Sequence, residues 1–308
     1  GIQMKKLVAG LLTAVALLAM SACGADQKNT AQTSSSTKES AEVSSGASEQ
    51  VYTDPKEMKE SYDVVIIGAG GAGMAAAIEA KDAGLNPVIL EKMPVAGGNT
   101  SKSSSGMNAS ETKFQKEEGI KDSNDAFYEE TLKGGGGTND KEMLRYFVDH
   151  SADAVDWLDQ NGIKLDNLTI TGGMSEKRTH RPSDGSAIGG YLVEGLLNNV
   201  HEREIPIFVN ADVTDIKKNG ETVNEVTVHV QGEEPKEVTG KAIVVTTGGF
   251  GASKEFIEKY RPDLADYITT NQEGSTGDGI TMIEKLGGQT VDMDKIQIHP
   301  TVQQDEGV

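Results

Sequence analysis

An α/β fold with a parallel sheet is predicted by three features of one stretch, Tyr62 to Glu91. The run Val64-Val65-Ile66-Ile67 is continuously apolar and β-branched, as a strand buried on both faces must be. Directly after it, Gly68-Ala69-Gly70-Gly71-Ala72-Gly73 places glycine at the first, third and sixth positions and opens an alanine-rich segment that reads as a helix. A second strand, Pro87-Val88-Ile89-Leu90, then ends on Glu91. Strand, turn, helix and strand make one βαβ unit, the Rossmann-like core of a dinucleotide-binding domain.

Each glycine in the turn has a mechanical task. Gly68 makes the tight turn, Gly70 leaves room for a pyrophosphate at the helix N-terminus, and Gly73 lets the helix lie close on the strand. Glu91 stands at the separation where a carboxylate accepts hydrogen bonds from an adenosine ribose. It would repel a ribose 2′-phosphate, which disfavours NADP. The unit leaves open which other dinucleotide is held.

Composition narrows the class of partner. The 308 residues carry 48 acidic and 29 basic side chains, a formal net charge of −19, which argues against nucleic acid and against a basic membrane-binding patch. Glycine, at 36 residues, fits a chain whose backbone approaches ligands closely. Cys23 is the one cysteine, so the chain has no internal disulfide, haem attachment motif or iron–sulfur ligand set. Any one-electron relay would lie outside it.

The N-terminal region reads as export machinery. Met4-Lys5-Lys6 followed by the apolar stretch Leu7 to Met20 has the form of a signal peptide, and the stretch is too short for a comfortable transmembrane helix. Met20-Ser21-Ala22-Cys23 resembles a bacterial lipobox, which would place a lipid anchor on Cys23 at the outer face of a cytoplasmic membrane. The alternative is ordinary secretion with a free cysteine. Residues 24–60 are mostly Ser, Thr, Ala, Glu and Lys and read as a flexible tether, because so few large apolar groups cannot offset ordering entropy. A dinucleotide-binding domain is expected over residues 61–292, and the beginning of another domain over 293–308.

Beyond Glu91 and Lys92, residues 93–109 are small and polar, suited to surrounding a large bound group with amides and hydroxyls. From Asn139 to Gln160, Met143, Leu144, Phe147, Val148, Ala152, Val155 and Leu158 form a helical stripe read as core, with Trp157 beside it. Arg178 to Pro182 is a basic turn in which His180 reads as structural. A helix is expected over about Ala187 to Arg203, then a strand at Ile207-Phe208-Val209. A hairpin pairs Val213–Ile216 with Val223–Val230 across Asn219-Gly220. His229 falls on its outer face. Strand Ala242–Val245 runs into Thr246-Thr247-Gly248-Gly249-Phe250, and Ser275-Thr276-Gly277-Asp278-Gly279 opens another helix. A final strand is expected near Gln289 to Val291, before Gln297-Ile298-His299-Pro300-Thr301.

Gly68–Gly73, Glu91, Gly97–Ala109, Thr247–Phe250, Thr276–Gly279 and Gln297–Thr301, taken in order, resemble the flavoprotein part of soluble fumarate reductases and flavocytochromes c, including urocanate reductases. The resemblance covers about Tyr62 to Val308 and implies that the dinucleotide is FAD. It implies a Rossmann-like FAD-binding domain with helical and β-meander insertions, and a capping domain that begins near the His-Pro-Thr motif. It places Ala72, with Gly68, Gly70 and Gly73, at the pyrophosphate, Glu91 at the adenosine ribose and Val213 at the adenine through its backbone, and it counts Lys92 among the cofactor-binding residues. Asn99, Thr100, Ser104, Ser105, Gly106 and Gly248 would line the flavin, with Asp278 near its polar side chain. His299 would bind one end of the substrate, over a floor made by Ser105 and Gly106.

Where membrane-bound relatives carry a flavin-linked histidine this chain has Asn99, so non-covalent FAD is expected. The family's proton-delivering arginine falls past Val308 in this pattern, so no catalytic residue is assigned and the chain reads as a fragment. The implied activity is reduction of an α,β-unsaturated carboxylate such as fumarate or urocanate, using hydride from N5 of reduced FAD and reducing equivalents from an external donor. A separate membrane-linked flavoprotein would serve as that donor, although no residue here identifies it. Two other readings stay open: another oxidoreductase of the flavin superfamily, such as a ketosteroid dehydrogenase or aspartate oxidase, or a lipid-anchored flavin-binding protein without catalysis.

Overall fold

A computed structural model describes residues 52–299. The expected export signal, Cys23, most of the expected tether and Pro300 to Val308 lie outside the described residues. The βαβ unit forms as its sequence dictates: β1 (Ser61–Ile67), α1 (Gly71–Asp82) and β2 (Pro87–Leu90). β1 and β2 are parallel, with Val64 opposite Pro87 and Ile67 opposite Leu90. All four residues of β2 are buried, which explains why its sequence lacks alternation.

The sheet has six strands in the order β6-β2-β1-β9-β8-β7, where β6 is Ile207–Phe208, β7 Ala211–Asn219, β8 Thr222–Val230 and β9 Lys236–Val245. β6, β2, β1 and β9 are parallel, whereas β7, β8 and β9 form the antiparallel meander. One face is covered by α1 and the long helix Ile188–Glu202, which bury Met74, Ile78, Val193, Leu196 and Val200 against Val64, Ile66 and Ile89. The meander covers the other face, where Val213, Ile216, Val226 and Val228 pack on Val65, Ile67 and Leu90. The alternation of β1 between these two clusters follows from the period of two along a strand.

Two glycines fix how α1 sits. Gly68 has φ +106°, and a Cβ there would lie 2.4 Å from the Thr246 carbonyl oxygen. A Cβ on Gly73 would lie 1.9 Å from the Gly68 carbonyl oxygen. Both obstacles are backbone, so no rotamer change relieves them.

Between the first two strands and the long helix lies an insertion. Strands β3 (Met107–Asn108), β4 (Asn167–Thr169) and β5 (Thr179–Arg181) form a small antiparallel sheet in the order β3-β5-β4. Around it are α2 (Lys113–Glu117), α3 (Asn124–Gly134), α4 (Lys141–Asp149) and α5 (Ser151–Gln160). The long helix is then α6, followed by α7 (Lys254–Tyr260) and α8 (Asp278–Lys285). The anchor of this insertion is Arg178, whose side chain is fully buried and bonds to Asp122 at 2.7 Å and Glu130 at 2.8 Å. His180 beside it is also buried, with Nε2 2.8 Å from Thr112 Oγ1 and Nδ1 2.6 Å from the Arg178 carbonyl. Burial pushes its imidazole below the ordinary value.

Four expectations from sequence are corrected. The ordered body begins by Tyr52, ahead of the tether boundary at Glu60: the Tyr52 hydroxyl accepts from Ala96 N at 2.9 Å, Thr53 exchanges hydrogen bonds with Ile207, and Met58 is buried. The helical stripe over 139–160 is two helices that break at His150, where the Ser151 hydroxyl donates to the Val148 carbonyl at 2.8 Å. Such local side-chain bonds compete with the helical ladder. Leu144, Val148, Val155 and Leu158 of the stripe are core, but Met143 and Phe147 are 71% and 55% exposed. Residues Gln289 to Val291 form no strand and lie exposed, so the segment has no buried face to hold it in a sheet.

Candidate functional site

At the carboxyl ends of β1, β2 and β9 a cleft opens, lined by Gly68, Gly70, Ala72, Glu91, Lys92, Asn99, Thr100, Val213, Gly248 and Asp278 among others. This is where a parallel sheet presents its ligands. The first-turn amides of α1 lack intrahelical partners. Gly71 N is taken by Thr100 Oγ1 at 3.0 Å, leaving the helix start at Ala72 for an anion. A Cβ on Gly70 would meet only Thr100 Oγ1 at 3.7 Å and the Gly97 carbonyl at 3.8 Å. The missing side chain therefore leaves a cradle at the helix N-terminus.

Glu91 is buried and braces the turn. Its Oε1 accepts from Ala69 N at 3.0 Å and its Oε2 from Met93 N at 2.9 Å. The carboxylate thus ties the glycine turn to the end of β2, and each oxygen keeps a lone pair for a ligand.

Lys92 reaches across the cleft to the start of α8, where Nζ donates to Asp278 Oδ2 at 2.8 Å and Thr276 Oγ1 at 2.9 Å. Burial alone would raise the Asp278 carboxyl, but these hydrogen bonds from Lys92 and Thr276 outweigh it and hold it below the usual value. The charged groups lining the cleft are Glu91, Asp212, Asp278 and Lys92. With the Lys92 ammonium already engaged, the amides at the start of α1 remain available to an anion. The carboxylates disfavour any further phosphate on the ribose.

Some expected residues stand elsewhere. Gly73 lies behind the turn and acts through packing. Ser104, Ser105 and Gly106 are outside the cleft lining, on a segment held by Ile188 N to the Ser105 carbonyl at 2.9 Å and Arg181 Nη2 to the Ser104 carbonyl at 3.1 Å. His299 borders a second cavity with Gln297, Lys254, Tyr267, Thr270 and Asn271. The two cavities share a wall: Asn99 Nδ2 donates to Asn271 Oδ1 at 2.8 Å, and Asn99 Oδ1 accepts from Gln272 N at 2.8 Å. Sequence reasoning passed over Asn271 and Asp212, and named Thr246 and Ser275 only as members of glycine-containing turns. The Thr246 hydroxyl donates to the Ile67 carbonyl at 2.9 Å, a contact between residues remote in sequence that no local pattern signals.

A glycine turn on a helix N-terminus, an acid closing the second strand and a cleft poor in free cations define a dinucleotide-binding flavoprotein-type domain. The chain belongs to the FAD binding domain family, which matches residues 63–308, and within it to the fumarate reductase and flavocytochrome c flavoproteins. It is 52% identical over 245 residues to an NADH:fumarate oxidoreductase of Klebsiella pneumoniae (strain 342), covering 80% of this chain and 26% of that protein. It is 37% identical over 269 residues to a fumarate reductase (cytochrome) of Shewanella frigidimarina, covering 87% and 47%. Among solved structures, the open conformation of a flavocytochrome c3 fumarate reductase superposes with TM-score 0.78 at 36% identity, covering 81% of this chain and 44% of that one. The chain thus spans between a quarter and a half of the length of these proteins.

Proposed function

We propose that this chain is the flavin-binding part of a reductase that saturates the double bond of a fumarate-type α,β-unsaturated carboxylate, with FAD held non-covalently. The observation that carries the reading is the Asn99–Asn271 wall. A small molecule beside His299 would be separated from the dinucleotide cleft by the paired side chains of Asn99 and Asn271, which supports the reading. Bound FAD would supply the hydride equivalent. The chain's own residues bind and orient: the α1 amides take the pyrophosphate, Glu91 accepts from the ribose, and His299 donates to a substrate carboxylate. Non-covalent binding is supported by the described cleft lining, which contains no His, Cys or Tyr.

Two relatives, matched over 80% and 87% of this chain, carry NADH and cytochrome in their names, which supports a donor bound by polypeptide outside these residues. The test uses a version extended to the relatives' length, loaded with FAD, reduced anaerobically and mixed with fumarate, urocanate or a 3-ketosteroid. Reoxidation by an enoate is expected, and His299→Ala should slow it by about tenfold to a hundredfold, the worth of one hydrogen bond to a charged group. Folded, FAD-loaded protein that no enoate reoxidises would refute the proposal.

A further inference from the structure

Asp212 is the cleft residue with no task in the account so far. It sits at the start of β7, and its neighbours Ala211 and Val213 turn their side chains into the core beneath the meander. Asp212 lines the cleft together with these two neighbours. Its position is fixed from both ends. Ala211 N donates to the Glu91 carbonyl at 2.8 Å, and Asn210 N to the Met93 carbonyl at 3.0 Å. Asn210 adopts φ +49°, a left-handed conformation that asparagine takes up more readily than most non-glycine residues. Its carbonyl accepts from Gln231 N at 2.9 Å.

So the backbone carries Asp212 to the segment immediately beyond Glu91. Its carboxylate is half-buried and makes no hydrogen bond or ion pair among the described residues. Burial raises its carboxyl above the ordinary value, Lys92 and His229 oppose the rise, and Asp278 adds to it. A partly desolvated acceptor with no donor is costly unless a ligand supplies one.

FAD offers few donors in that direction. The pyrophosphate belongs at the α1 N-terminus and the ribose at Glu91, so the next group outward is the adenine base. Adenine joined to ribose has one N–H donor group, the 6-amine. We propose that Asp212 reads the adenine of FAD by accepting a hydrogen bond from its 6-amino group. This needs FAD binding alone and is independent of which substrate is reduced.

The test compares FAD with the analogue whose adenine is replaced by purine, which lacks only the 6-amine. Each is titrated by flavin fluorescence into the deflavinated chain. The parent protein is expected to bind FAD about tenfold to a hundredfold more tightly than the analogue, as a charge-assisted hydrogen bond implies. In Asp212→Ala the two flavins should bind equally. In Asp212→Asn, where a neutral oxygen still accepts, the preference should be intermediate. The readout is a ratio within one protein, so a loss of folded material does not distort it. A parent protein that binds both flavins alike, or an Asp212→Ala protein that keeps the full preference, would overturn the assignment.

Discussion

Replacing Glu91 separates its two tasks. In the folded protein both carboxylate oxygens accept backbone amides, from Ala69 at 3.0 Å and Met93 at 2.9 Å. Glu91→Gln keeps one acceptor and turns an NH2 group against the other amide, leaving a buried N–H unpaired at about 1–3 kcal/mol. A domain of this size loses about 2–4 °C of melting temperature per kcal/mol. Deflavinated Glu91→Gln should therefore melt about 2–12 °C below the parent by calorimetry, and Glu91→Ala, which strands both amides, lower still. FAD affinity should fall in addition, by about tenfold to a hundredfold if the ribose loses a charge-assisted bond. A carboxylate serving only the ribose would leave the flavin-free melting temperature untouched. That outcome would refute the structural half of the argument.

Other consequences follow from the same contacts. Gly73→Ala puts a Cβ 1.9 Å from backbone, so α1 must move bodily. The flavin-free protein should lose at least the about 1–3 kcal/mol typical of overpacking, measured by urea unfolding. Gly70→Ala, with no atom nearer than 3.7 Å, should leave that stability intact while weakening FAD; equal stability losses in the two variants would contradict the assigned roles. Glu130 is held at about 2, against an ordinary 4.5, first by the hydrogen bond from Arg178. A depressed carboxyl contributes stability that is complete above pH 4.5 and is lost as pH falls toward about 2. Glu130→Gln should therefore be less stable at neutral pH and show a flatter decline through that window. Parallel pH profiles for parent and variant would contradict it.

The elements that sequence made legible are those with a local cause. The βαβ unit is written in one apolar run, three spaced glycines and a terminal acid, and the Asn219-Gly220 hairpin in its turn dipeptide. What escaped depends on partners far away in the chain. Arg178 read as part of a basic turn because Asp122 and Glu130, which bury it, come 56 and 48 residues earlier. Asn271 gave no sign of its contact with Asn99, 172 residues before it. The break at His150 was hidden because apolar spacing continues across it, while the bonds that mark it run from the His150 ring to the Tyr146 carbonyl and from the Ser151 hydroxyl to the Val148 carbonyl. Glu91 was legible as a ligand-facing acid but not as the brace of the glycine turn, since both roles ask for the same carboxylate.

The cleft between the glycine turn, Glu91 and α8 is the centre of this account, and titration of the folded, deflavinated chain with FAD tests it most directly. Saturation at one FAD per chain, with the flavin released intact on denaturation, is the result expected. A chain shown to be folded by its cooperative melting that takes up no FAD, or keeps flavin bound after denaturation, would contradict it.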